Sequence, residues 1–235
     1  MFSGDSVINV SVAGTVSDTT YAGGLAAIIK SKAYIDGFRG DVYFVGKAKK
    51  YNEYIVYSTK QVAGGVAALV LDSVRILNSR VSGSVDSTDV RGYVGGFIGI
   101  DSAYAYFEND TNDINMKLGS YPYILGGYVT RVTVRAAADF VGCLNRGNIL
   151  GASNNVAGFV GKNEGNLSFS KSTNEGTVKM TASSLAYAGG FVGQSRLDKD
   201  SDTIEVSFEY CINKGYVYSP HSSGGFVGGA FYTKQ

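Results

Sequence analysis

The chain has 235 residues with 21 Lys plus Arg against 20 Asp plus Glu, so it carries no charge excess that would favour nucleic acid as a partner. Its 44% apolar content argues against disorder despite 32 glycines, and with only two prolines those glycines are neither collagen-like nor part of a Pro-rich linker. No run of about 18 apolar residues suggests a membrane-spanning helix, and the first residues, Met1 to Asp5, resemble neither a signal peptide nor a lipidation site.

In chain order, a block of the form Gly-Gly-apolar-apolar-small returns at Gly23-Gly24-Leu25, Gly64-Gly65-Val66, Gly95-Gly96-Phe97, Gly126-Gly127-Tyr128, Ala157-Gly158-Phe159, Gly189-Gly190-Phe191 and Gly224-Gly225-Phe226. Counted on the second glycine, the steps are 41, 31, 31, 31, 32 and 35 residues, which is a period. A period of that length predicts stacked copies of one supersecondary unit. Upstream lies a second signature, Asn-x-Gly-x-(Val or Ile), at Asn145, Asn174 and Asn213, with weaker forms at Val12-Ala13-Gly14-Thr15-Val16 and Val81-Ser82-Gly83-Ser84-Val85. The run Ile204 to Tyr210 alternates with a period of two, as a strand does.

Each unit therefore reads as a strand, an Asn-x-Gly tight turn at positive φ, a short strand, a polar loop, and a Gly-Gly corner leading into another strand. The predicted fold is all-β, a repeat β-solenoid resembling a parallel β-helix, with about seven repeats of roughly 31 residues. It forms one domain over 1–235, with irregular repeats over 1–72 and regular ones over 73–235. The residue after each Gly pair, from Leu25 to Phe226, should form an interior ladder, and the next, from Ala26 to Val227, a second apolar column. The stretch from Ile35 to Tyr57 reads as an insertion or degenerate coil, and Ala136-Ala137-Ala138 permit a short helix between Arg135 and Val141. The repeat is already running at Val7 and still running at Phe226, which suggests a piece excised from a longer array without caps.

With its Gly-Gly-Phe-Val-Gly blocks and the forms Cys143-Leu144-Asn145-Arg146-Gly147 and Cys211-Ile212-Asn213-Lys214-Gly215, the chain resembles proteins carrying GLUG-type repeats. The resemblance covers nearly the whole chain, most closely from about residue 73 onward. It implies a repeat segment of a microbial surface or secreted protein, acting as stalk, spacer or adhesive surface. Some streptococcal immunoglobulin A peptidases carry such repeats beside a protease domain, but the His-Glu-x-x-His zinc motif is missing here, so no protease activity carries over.

Few residues suggest chemistry. The single histidine, His221, lies in a Ser-Pro loop without the partners a zinc site needs. Asp198, Asp200 and Asp202, with Glu209 at the twelfth position, resemble a calcium loop, but Thr203 stands where such a loop needs glycine; a solvated acidic loop is the simpler reading. Glu108 to Asp113 is a poorer version of the same pattern. Asn9, Asn109 and Asn166 match the glycosylation acceptor pattern. Cys143 and Cys211 hold equivalent places two repeats apart, which predicts free buried thiols. Tyr93 and Tyr187 recur with the repeat and read as structural, whereas Tyr51, Tyr54 and Tyr104 read first as ordinary strand residues and second as an aromatic surface for a glycan.

The expected function is a non-catalytic structural or adhesive module at the cell surface or outside the cell. It would form a stiff rod or filament subunit that joins end to end with itself or with neighbouring repeats, with a glycan or host surface as ligand and no cofactor beyond calcium. A carbohydrate-binding module is the alternative, and a polysaccharide-degrading enzyme the more distant one.

Overall fold

A computed structural model describes residues 6–16, 20–44, 50–51, 54–55, 61–87, 92–118, 124–151, 154–181, 186–197 and 203–232. Among the described residues the chain is all β-strand with no helix, wound as a β-solenoid whose four parallel sheets are each crossed once per coil. Each coil visits the sheets in the same order. The coil around Phe107 runs Tyr104–Glu108 in sheet I, Thr111–Leu118 in sheet II, Ile124–Gly126 in sheet III and Val129–Val132 in sheet IV. Every sheet is continuous from the first coil to the last, seven coils deep. At the ~4.8 Å spacing of hydrogen-bonded strands, the first and last coils lie about 29 Å apart.

The interior ladder expected from the Gly-Gly blocks is present. Val66, Phe97, Tyr128, Phe159 and Phe191 are fully buried, and Leu25 and Phe226 at the two ends are half-buried. From Phe97 to Phe226 successive rings stack nearly parallel with centroids 4.7 to 5.0 Å apart. A second stack that the repeat motif did not announce, Phe107, Phe140, Phe169 and Phe208, rises from sheet I with the same spacing. The two stacks meet edge to face at 5.1 to 5.8 Å, the herringbone arrangement that ring quadrupoles favour. Ala67, Ile98, Val129, Val160 and Val192 form the second apolar column beside them.

The Gly pairs are needed for space. A Cβ on Gly96 would lie 1.9 Å from the Gly127 carbonyl oxygen, and one on Gly127 equally close to that of Gly158.

Three sequence expectations are corrected. The Asn-x-Gly motif is no positive-φ turn: Gly147, Gly176 and Gly215 lack positive φ, and the strand pieces flanking each motif, such as Ile212–Asn213 and Val217–Tyr218, belong to one sheet. Those glycines are there because a Cβ would strike the backbone of the coil before, as at Gly176, where the Gly147 oxygen would be 2.1 Å away. The left-handed corner lies earlier, between sheets I and II, at Asn9, Gly37, Asn78, Asn109, Gly142, Lys171 and Tyr210, all with φ between 49° and 67°. Arg135 to Val141 contains no helix, because Ala137–Val141 is a sheet I strand whose Ala138 and Phe140 sit between Ala105 and Leu167 and between Phe107 and Phe169. Finally, Ile35 and Phe38 are fully buried members of a regular second coil. The described part of the insertion is the antiparallel pair Lys50–Tyr51 with Tyr54–Ile55.

Replacing Phe159, stacked on both faces, with Ala should lower stability by about 3–5 kcal/mol, whereas Phe226→Ala, stacked on one face only, should lower it by about half as much or less. Urea denaturation of the two variants checks this; equal losses would count against the stack as a cumulative source of stability.

Candidate functional site

The acidic run holding Asp198, Asp200 and Asp202 lies outside the described residues, as do the side chains of Tyr51 and Tyr54. Among the described residues no three His, Cys, Asp or Glu side chains gather where they could share a metal ion. Asn9, Asn109 and Asn166 are exposed. The first two occupy the left-handed corner, where the Asn109 Nδ2 donates to Asn78 Oδ1 at 3.4 Å and Asn78 in turn donates to Asp36 at 3.0 Å. Asn166 Oδ1 accepts the Glu205 N–H at 2.9 Å. His221 is exposed beside Tyr187. The Tyr104 hydroxyl donates to Asp139 at 2.7 Å. Both thiols are free, Cys143 buried and Cys211 half-buried on the last coil.

Glu108 to Asp113 is no solvated acidic loop, because Asp110 and Asn112 point into the core with no exposure. Asn112 opens a ladder of carboxamides on the inner side of sheet II. Asn112 Nδ2 donates to Asn145 Oδ1, Asn145 to Asn174 and Asn174 to Asn213, each at 2.7 Å. Within each motif the Nδ2 of Asn145, Asn174 and Asn213 also donates to the carbonyl two residues on, of Gly147, Gly176 and Gly215 respectively, at 3.1 to 3.2 Å. Each carboxamide lies against the second glycine of a Gly pair across the core: a Cβ on Gly158 would be 2.3 Å from Asn174 Oδ1, and one on Gly190 would be 2.5 Å from Asn213 Oδ1. The two repeat signatures are thus halves of one contact.

On the outer side of the same sheet, the residue after each ladder Asn forms a column of alternating charge, Asp113, Arg146, Glu175 and Lys214. Arg146 and Arg80 both reach Asp113, at 2.7 and 2.5 Å, and Lys214 reaches Glu175 at 3.1 Å. Partial burial acts to raise the Asp113 pKa, but the hydrogen bonds from Arg146 and Arg80 outweigh it and hold the carboxyl below its ordinary range. Next to this column on the last coils, Tyr216 and Tyr218 are exposed with nearly parallel rings 6.3 Å apart, and with Lys179, Thr181 and Pro220 they line a shallow cavity of about 330 Å³.

A polar column turns the corner into sheet II. Ser79, Cys143, Ser172 and Cys211 each donate from the side chain to the carbonyl two residues earlier, at 2.7, 3.6, 3.0 and 3.4 Å. Asp110 holds the same place. Its Oδ1 accepts the Ser79 N–H at 2.7 Å, and its buried Oδ2 has no partner among the described residues. Burial raises its pKa to about 8, against the opposing pull of backbone groups at Ser79 and Glu108. Protonated, Asp110 carries the O–H donor that serine and cysteine carry elsewhere in the column. The buried Tyr128 hydroxyl spans this corner, donating to the Asp110 carbonyl at 2.5 Å and accepting the Leu144 N–H at 3.0 Å. Burial pushes both this phenol and the neighbouring Cys143 thiol up, so the thiol is no nucleophile. Asp101, between Val70 and Val132 in sheet IV, is also buried and raised by burial to about 7, opposed by the Ala103 N–H.

Two expectations follow. Asn145→Ala should strip Asn112 and Asn174 of their partners inside the core and lower stability by about 2–3 kcal/mol; Arg146→Ala, on the outer face of the same strand, should lower it by under about 1 kcal/mol. Chemical denaturation at neutral pH compares them. Asp101 and Asp110 are protonated in the fold where the unfolded chain, with ordinary carboxyl values near 3.8, is not. Their contribution to stability is therefore complete below pH ~4 and is lost as pH rises toward 7 and 8, by about 1.4 kcal/mol per pH unit for each group. Asp110→Asn keeps an acceptor and a donor without a titration, so it should flatten the fall of melting temperature between pH 5 and 8; an unchanged slope would show that Asp110 does not hold a proton. The chain matches no family model, no curated protein and no solved structure.

Proposed function

We propose that the chain is a non-catalytic structural and adhesive module, a stiff rod segment of an extracellular or cell-surface protein. One observation carries this reading: the rings from Phe97 to Phe226 form an unbroken stack at 4.7 to 5.0 Å, parallel to the carboxamide ladder. Interactions of this kind run along the axis and lock neighbouring coils against bending and shear, which is what a spacer under load needs. The resemblance to GLUG-type repeats supports the same reading and supplies the extracellular setting.

Single-molecule pulling between residues 6 and 232 tests the mechanical part. A stalk should resist until a high force and then lose coils in steps of about 31 residues. A chain that extends gradually at low force would rule the rod out.

A carbohydrate-binding role is favoured by a different observation, the parallel Tyr216 and Tyr218 rings with Lys179 beside them. Exposed aromatic faces stack on the C–H faces of sugars, and lysine can bind hydroxyl or acidic groups at the edge. Glycan-array screening of the wild-type chain and of Tyr216→Ala should show hits that the substitution removes. An array without hits would leave the rod alone.

A further inference from the structure

The two ends of the solenoid are built from different residues. In the first coil the inward positions are Val7, Val12 and Leu25; in the last they are Phe208, Asn213 and Phe226, by the register that links every coil between them. The strands of the last coil each leave one hydrogen-bonding edge unpaired among the described residues. Phe208, Asn213 and Phe226 are half-exposed there, whereas their counterparts one coil earlier, Phe169, Asn174 and Phe191, are buried.

Two features of this face state what would cover it. Asn213 Oδ1 is occupied by Asn174, and its Nδ2 donates to the Gly215 carbonyl, so among the described residues one N–H of the carboxamide points along the ladder with no acceptor. In every earlier rung of this ladder that N–H meets the Oδ1 of another Asn. The outer column adds the sign of the neighbour. Charge alternates from coil to coil along this column, Asp113, Arg146, Glu175 and Lys214, and among the described residues Lys214, the last of them, is held by Glu175 on one side only.

We propose that the face of the last coil is a docking surface for a polypeptide coil of the chain's own repeat class carrying Asn-(Asp or Glu)-Gly at this register. Its Asn would take the free Asn213 N–H, its acid would pair with Lys214, and an apolar ring or branched side chain would cover Phe208. At this register the chain contains one such segment, Asn174-Glu175-Gly176-Thr177-Val178; Asn163-Glu164-Gly165 has the same tripeptide but begins at the end of a sheet IV strand. The head of a second copy is the poorer occupant. It presents Val12-Ala13-Gly14-Thr15-Val16, which would set a valine against the carboxamide donor and leave Lys214 opposite Ala13. Edge strands bind through the backbone whatever the sequence, so the side chains at these two positions decide which strand is accepted.

The test uses the whole chain in two ways. In fluorescence anisotropy a labelled peptide of residues 166–181 should bind saturably. Asn174→Val in the peptide, or Asn213→Val in the chain, should weaken it at least tenfold, Glu175→Lys should weaken it several-fold, and a peptide of residues 6–16 should bind at least tenfold more weakly. In sedimentation velocity the double variant Val12→Asn/Ala13→Glu, which gives the head the sequence of residues 174–178, should associate head to tail at a tenfold or more lower concentration than the wild type. Circular dichroism confirms that it folds, and the peptide arm decides if it does not. Failure of the 166–181 peptide to bind, equal binding by the two peptides, or indifference to Asn213→Val would overturn the proposal. Wild-type chains that join head to tail as readily as the double variant would overturn it in favour of a second copy as the occupant.

Discussion

Every element of this protein is subject to one constraint: a parallel coil can hydrogen-bond to the next only at a spacing of about 4.8 Å, so any side chain repeated from coil to coil must be able to sit on itself at that distance. Aromatic rings can, in offset stacks, and carboxamides can, because one end donates and the other accepts. The observed separations of 4.7 to 5.0 Å between rings and 2.7 Å between carboxamides are the backbone spacing expressed in side chains. Isolated buried charges cannot repeat in this way, and burial accordingly raises the pKa of Asp110, which stands in a column of hydroxyl and thiol donors. On the outside, where water screens, charge is tolerated by alternating its sign.

The period made the architecture legible. Thirty-one-residue steps between Gly pairs gave the coil count, and the residue after each pair was rightly placed inside. The Asn-x-Gly signature was visible too, but its cause was misread, because asparagine and glycine at fixed offsets suggest a left-handed turn. Here the glycine makes room for the backbone of the preceding coil and the asparagine builds a ladder, a role that only register reveals. The true left-handed corner escaped notice because its occupants include Lys171 and Tyr210 alongside Asn9 and Gly37, so composition does not mark it. The Phe107 stack was hidden for a similar reason: its members lie in strands with ordinary alternation and no glycine flag.

The candidate surface was less legible than the fold. Tyr216 and Tyr218 are two tyrosines among 17, and nothing in their spacing separates them from strand residues with a structural place. The exposed Asn213 N–H depends on which coil is last, and the alternation from Asp113 to Lys214 becomes a column only when residues 29 to 39 apart are brought into contact. The two halves of the molecule also differ in a way the period conceals. The coils around Val7 and Ile35 carry aliphatic side chains at the stack positions, Val7, Leu25, Ile35 and Val66, with Phe38 buried beside them, and from Phe107 onward aromatic stack and carboxamide ladder run together. Cohesion between coils should follow that division.

Amide hydrogen exchange followed by mass spectrometry, resolved coil by coil, tests the account most directly. If axial ladders hold the coils together, protection should be highest in the inner coils between Phe107 and Phe191 and fall toward both ends, lowest in the aliphatic first coil. Uniform protection along the chain, or a maximum in the coils before Phe97, would contradict the claim that these ladders set the stability of the stack.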